Sequence, residues 1–114
     1  MAAFRVRGLD LPAFELRPEN ALIRLASTFG YQDIDFDSFP EFSKRYLLRG
    51  EDEAAIRSRF GPGVLQGLER NLGWWIEGAG PLVLLYRQGK RVKPSELYGF
   101  LNDTREVVRL LQLG

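Results

Sequence analysis

The stretch Trp74-Trp75-Ile76-Glu77-Gly78-Ala79-Gly80-Pro81-Leu82-Val83-Leu84-Leu85-Tyr86-Arg87 decides the fold. Its opening sets Trp74 and Ile76 against Trp75 and Glu77, the alternation of a half-buried strand. Glycines and a proline at 78–81 then interrupt the pattern, as a hairpin turn does. Pro81 to Tyr86 is the longest strongly apolar run in the chain and suits a buried strand. Two antiparallel neighbours joined by a short turn are the expected outcome.

The flanking sequence supplies partners for that hairpin. Phe4-Arg5-Val6-Arg7 alternates apolar and charged, and Ala13-Phe14-Glu15-Leu16-Arg17 does so again after a break at Gly8–Pro12. Pro18 suits a first helical turn, and Leu22, Leu25, Ala26 and Phe29 follow at helical spacing up to Gly30, which predicts a helix over about 18–29. Asp33-Ile34-Asp35-Phe36-Asp37 has period two. Phe42 to Arg49 reads as one long strand. Glu51-Asp52-Glu53 marks a helix start, because acidic groups favour the positive end of a helix dipole. A short helix at Ala54–Phe60 stops at Gly61-Pro62-Gly63, and Val64, Leu65, Leu68 and Leu72 define a second. A last helix begins at Pro94 with Ser95 near its start and carries Leu97, Leu101, Thr104, Val108 and Leu111 on one stripe. The predicted order is β-β-α-β-β-α-α-β-β-α. That order gives an α+β fold, an antiparallel sheet with helices packed on one face, in a single domain over residues 1–114.

The composition narrows the chemistry. The chain has 114 residues, 45% hydrophobic and 27% charged, enough for one packed core. Sixteen basic and fifteen acidic residues leave a net charge of +1, without the phosphate-neutralising excess of a general nucleic-acid binder. Histidine and cysteine are both absent. Their absence removes disulfides, thiolate and imidazole metal ligands, and nucleophiles activated by histidine. No stretch approaches the roughly 18 uninterrupted apolar residues of a membrane span. The first five residues lack the basic-then-apolar pattern of a signal peptide.

Alternation also predicts which side chains turn away from the core: Arg5, Arg7, Glu15, Arg17, Asp33, Asp35, Ser43, Arg45, Arg49, Trp75 and Glu77. Two readings fit this set. One is a solvated face laced with cross-strand ion pairs. The other is a docking face with Trp75 as anchor and Glu77, Arg45 and Arg49 around it, since Trp and Arg dominate binding hot spots. A small basic cluster, Arg87, Lys90, Arg91 and Lys93, precedes the last helix and is a second candidate contact for an acidic partner or surface.

Other patterns dissolve on inspection. Asp33, Asp35 and Asp37 begin like a calcium loop, but Ser38 stands where the sharp turn needs Gly and Lys44 where a bidentate Glu is needed. Gly61-Pro62-Gly63-Val64-Leu65-Gln66-Gly67 joins two helices instead of following a strand, so it is not a dinucleotide loop. Ser43 and Lys44 are neighbours that a strand would point to opposite faces. No catalytic residue, metal ligand or cofactor site is expected.

The stretches Leu11-Pro12-x-Phe14-x-Leu16-Arg17-Pro18-Glu19 and Phe42-Ser43-x-Arg45-Tyr46-x-Leu48-x-Gly50-x-Asp52-Glu53-x-x-Ile56-Arg57-x-x-Phe60 resemble soluble domains of unknown function that follow membrane segments in bacterial proteins. The resemblance implies a cytoplasmic domain held at the membrane surface by an anchor in a longer parent, and it brings no catalytic residues. Two functions are therefore expected in order: a non-enzymatic interaction or regulatory module with a protein partner, then a small-ligand sensor with an aromatic-lined pocket between sheet and helices. With no metal site expected, micromolar calcium or zinc should leave the melting temperature unchanged in a thermal scan; a rise of several degrees would overturn that reading.

Overall fold

Strand β4 (Trp74–Gly80) is the middle strand of a five-stranded sheet in a computed structural model that describes residues 2–18, 34–87 and 93–113. Around it lie β1 (Ala2–Arg5), β2 (Leu11–Pro18), β3 (Tyr46–Arg49) and β5 (Leu82–Arg87), in the order β1-β5-β4-β2-β3, with every pairing antiparallel. Among the described residues four helices, α1 (Pro40–Arg45), α2 (Glu53–Arg59), α3 (Pro62–Arg70) and α4 (Leu97–Leu113), join the sheet in an α+β fold. A 3-10 turn over Pro94–Glu96 leads into α4.

The hairpin forms as its sequence requires. Ala79 pairs with Leu82, leaving Gly80 and Pro81 to turn the chain. Gly80 has φ +58°, a conformation that L side chains rarely adopt, so glycine is the natural residue there. Trp74 and Ile76 bury completely on one face, as do Val83 and Leu85 on β5, with Leu85 directly opposite Ile76.

That face is the core. Leu16 lies between Leu48 on β3 and Ile76 on β4, and Ile76 pairs onward with Leu85 and then Ala2, one apolar row across all five strands. Each helix covers the row with its own apolar stripe: Phe42 from α1, Ile56 from α2, Val64, Leu65 and Leu68 from α3, and Val107, Val108 and Leu111 from α4 all belong to the same buried cluster. Rings interlock inside it, with Phe14 edge-on to Phe60 at 5.1 Å and Trp74 beside Phe100 at 6.0 Å.

The structure corrects the expectation for residues 42–49. Only Tyr46–Arg49 is strand, and Pro40–Arg45 is helix. Phe42, Tyr46 and Leu48 fit period two, but Phe42 and Tyr46 are also four apart, as a helix needs. Helix signals were present: Pro40 at the first turn, Glu41 beside it, and Lys44 and Arg45 in the last turn. Phe39 supplies no side-chain cap; a carboxylate oxygen of Glu69 on α3 accepts from Phe42 N–H at 3.0 Å instead.

The period-two segment at 33–37 is not a strand over its described part; Ile34 donates a single backbone bond to Leu48 O at 2.8 Å. The helix expected at 18–29 lies outside the described residues apart from Pro18, which closes β2. On α4, Thr104, Val108 and Leu111 are buried as expected, while Leu97 is 47% exposed and Phe100 and Val107 face the core.

Gly50, just after β3, packs without room for a side chain. A Cβ there would meet Ile56 Cδ1 and lie 2.5 Å from the Ala13 carbonyl oxygen, which is backbone and cannot swing away. Gly50→Ala should therefore lower unfolding free energy by about 1–3 kcal/mol in urea titration, the usual cost of overpacking; an unchanged midpoint would mean that the β2–α2 contact is loose.

Candidate functional site

Opposite the helices, the second face of the sheet is built by the residues that alternate with the core row. Arg49, Glu15, Glu77, Leu84 and Ala3 form one continuous line across β3, β2, β4, β5 and β1. Beside it, Trp75 pairs with Tyr86 and Arg17 pairs with Leu47. The line places two glutamates directly opposite each other in the centre of the sheet, an arrangement that is unfavourable when both are charged.

These groups interact closely. Arg17 Nε lies 3.3 Å from Glu15 Oε1, and its guanidinium sits 5.8 Å from the Trp75 ring centre. Trp75 in turn stacks on Tyr86 with ring centres 5.1 Å apart. Glu15 is only 7% exposed and Arg17 only 3%. Their approach is an ion pair without an aligned hydrogen bond, so Glu15 Oε1 and Arg17 Nε and Nη2 have no hydrogen-bond partner among the described residues. The half-buried Trp75 likewise has no partner for its indole N–H there.

Burial raises the pKa of the Glu15 carboxyl above its usual 4.5. The neighbouring Glu77, through its charge and a hydrogen bond to Glu15, pushes the same way, and Arg17 and Arg49 pull it back. The Tyr86 phenol is pushed up to about 12, first by burial and then by Glu77 and Glu15.

Two shallow clefts meet at Glu77 and Gly78. One, of about 440 Å³, runs over Ala3, Arg5, Leu82 and Leu84; the other, of about 360 Å³, runs over Ala13, Glu15, Arg49 and Glu51. Leu82 is 54% exposed on the β1–β5 side of this face, where the exposed Arg5 stands opposite it.

The structure thus brings together Trp75, Glu77 and Arg49 from the expected set and adds Glu15, Arg17 and Tyr86 as their immediate neighbours. Arg45 is not among them: because Pro40–Arg45 is helical, it sits exposed on α1, 4.0 Å from Glu41 one turn earlier. Arg87 turns to the helix side, where it lies 4.6 Å from the Trp74 ring centre and bonds Asp103 of α4 at 2.9 Å. It ties a strand to a helix. Lys90 and Arg91 lie outside the described residues. The closeness of Glu15 to Glu77 was missed because it depends on strand order and register; the available signal was the matched alternation of Glu15-Leu16 and Ile76-Glu77. Among the described residues no three acidic groups gather as metal ligands would.

The raised pKa fixes the sign of a pH effect. A carboxyl that ionises less readily when folded contributes stability fully below its unfolded value, near 4.5, and loses it as pH rises through the folded value. Glu15→Gln, which mimics the protonated form, should gain stability relative to the parent protein as pH goes from about 4.5 to 7.5. Paired denaturation curves at the two pH values test this, and a constant difference would discard the shift. No protein-family model, curated protein or solved structure matches this chain, so its function is argued from this geometry.

Proposed function

We propose that the chain is a non-enzymatic protein-interaction module that docks its partner on the outer sheet face, with Trp75 as the anchor. The observation that carries this reading is the stacked, partly buried Trp75–Tyr86 pair at mid-sheet, on the same face as the partly buried Leu84 and the exposed Leu82. A rigid aromatic ringed by charged groups is the usual composition of a binding hot spot. Arg17 and Tyr86 hold the indole from both sides, so little side-chain entropy is lost on binding.

The sensor reading is less favoured. Its aromatic residues are spent on packing between the layers, where Trp74, Tyr46, Phe42 and Phe60 are each below 2% exposed. The Glu15–Glu77 pair lines shallow, open clefts, which favour docking over chemistry that needs excluded water. A tether at the membrane surface in a longer parent fits a module of this kind; among the described residues no helix is long and apolar enough to cross a membrane.

The test is site-specific photocrosslinking in the native cell. A photoreactive residue replacing Leu84 should trap a discrete partner, and Trp75→Ala should weaken that capture at least tenfold while far-ultraviolet circular dichroism stays unchanged. A probe at the exposed Arg105 on α4 should trap none. Equal capture at both positions, or capture indifferent to Trp75, overturns the proposal.

A further inference from the structure

The core register fixes Glu15 and Glu77 directly opposite each other, with Glu15 buried and Glu77 partly buried. Directly opposite residues on antiparallel strands have Cβ atoms roughly 4.5–5.5 Å apart, so the two carboxyls meet unless one turns away. Here they meet, and the two side chains are hydrogen-bonded. An ionised carboxylate only accepts, so a bond between two carboxyls contains one proton, and it belongs on the more buried acid.

The charged and titratable groups facing Glu15 are few. On its own strand Arg17 lies 3.3 Å away, β3 presents Arg49 and β4 presents Glu77. The phenol of Tyr86 on β5, pushed up to about 12, stays neutral. The exposed Glu51, just beyond β3, lines the same cleft, and α2 meets β2 from the core side with the apolar Ile56. Burial and Glu77 favour the protonated form of Glu15 and prevail over Arg17 and Arg49.

Losing the proton changes Glu77 more than Glu15. Glu15 remains beside Arg17, whereas Glu77 takes part in no ion pair among the described residues. Like charges in contact repel, and the more accessible side chain is the one free to turn out. Glu77 lies two residues from Trp75 on the same face and directly opposite Leu84, so a partner lying over both covers it too. Covered while it accepts the Glu15 proton, the Glu77 carboxylate keeps a hydrogen bond. Covered after that proton has gone, it is a desolvated acceptor without a donor, which opposes docking.

Resting on the docking reading above, we infer that the proton Glu15 donates to Glu77 gates the outer face: docking is favoured while the proton is in place, and its loss turns Glu77 outward and weakens docking as pH rises. Binding that needs one proton is complete while Glu15 is protonated and falls by up to about tenfold for each pH unit beyond its titration.

The test joins NMR of the purified domain to the Leu84 photocrosslink. With carbon-13 in the glutamate side chains, the Glu15 carboxyl carbon should titrate above the usual 4.5, and the amide signals of Glu77 and Leu84 should move with the same midpoint. In permeabilised cells the adduct trapped through Leu84 should form at least about threefold more at about pH 5.5 than at about pH 7.5. In Glu15→Gln, whose amide donates to Glu77 at either pH, the two yields should be equal. A Glu15 titration at its usual value, or amide signals that ignore it, overturns the inference. Capture indifferent to pH, or a pH dependence that survives Glu15→Gln, discards the gate and leaves the docking face standing. No capture at either pH removes the docking face, and the gate falls with it.

Discussion

The pairing of Leu16 with Ile76 is the constraint on which both faces of the sheet depend. Both side chains are fully buried, and side chains alternate along a strand, so a slip of one residue would expose one of them. The register that buries them places Glu15 opposite Glu77 on the other face. The carboxyl pair is thus a consequence of core packing, and the protein offsets it locally with Arg17 and Arg49. Chemistry on the outer face is set by apolar contacts on the inner one.

The consecutive tryptophans show how one strand serves two roles. Trp74 and Trp75 point to opposite faces, and each has a guanidinium near its ring. On the inner side Arg87 is anchored to Asp103, so that contact joins β5 to α4 and belongs to the architecture. On the outer side Arg17 is held by Glu15 of its own strand, and Trp75 keeps part of its surface free. Cation–π contact is the same physics in both places. What differs is whether another layer of the protein completes it.

Residues with strong local signals were legible in the sequence. Trp74–Arg87 gave its hairpin, and Glu53–Arg59 gave its helix because Asp52 accepts from Ala55 N–H at 3.1 Å, a cap within three residues. Phe42–Arg45 was misread because its apolar spacing satisfies both periods and its N-terminal partner, Glu69, is 27 residues away. Of the site, Trp75, Glu77 and Arg49 were readable from alternation alone. Glu15 and Arg17 were placed on the correct face, but their burial was not foreseeable, since a strand pattern says which way a side chain points and not what stands beside it. Arg45 and Arg87 lie apart from these residues for the complementary reason, one because its element is a helix and the other because its parity matches the core.

The borrowed cap of α1 carries a consequence for the order of assembly. A helix of six residues has too few internal hydrogen bonds to persist alone, and the Glu69 carboxylate reaches it only when α3 is docked. Formation of α1, and with it the start of edge strand β3, is therefore slaved to a helix that lies later in the chain. Amide hydrogen exchange in Phe42–Leu48 would then track the opening of α3 as one cooperative unit, although the two segments are separated by α2 in sequence.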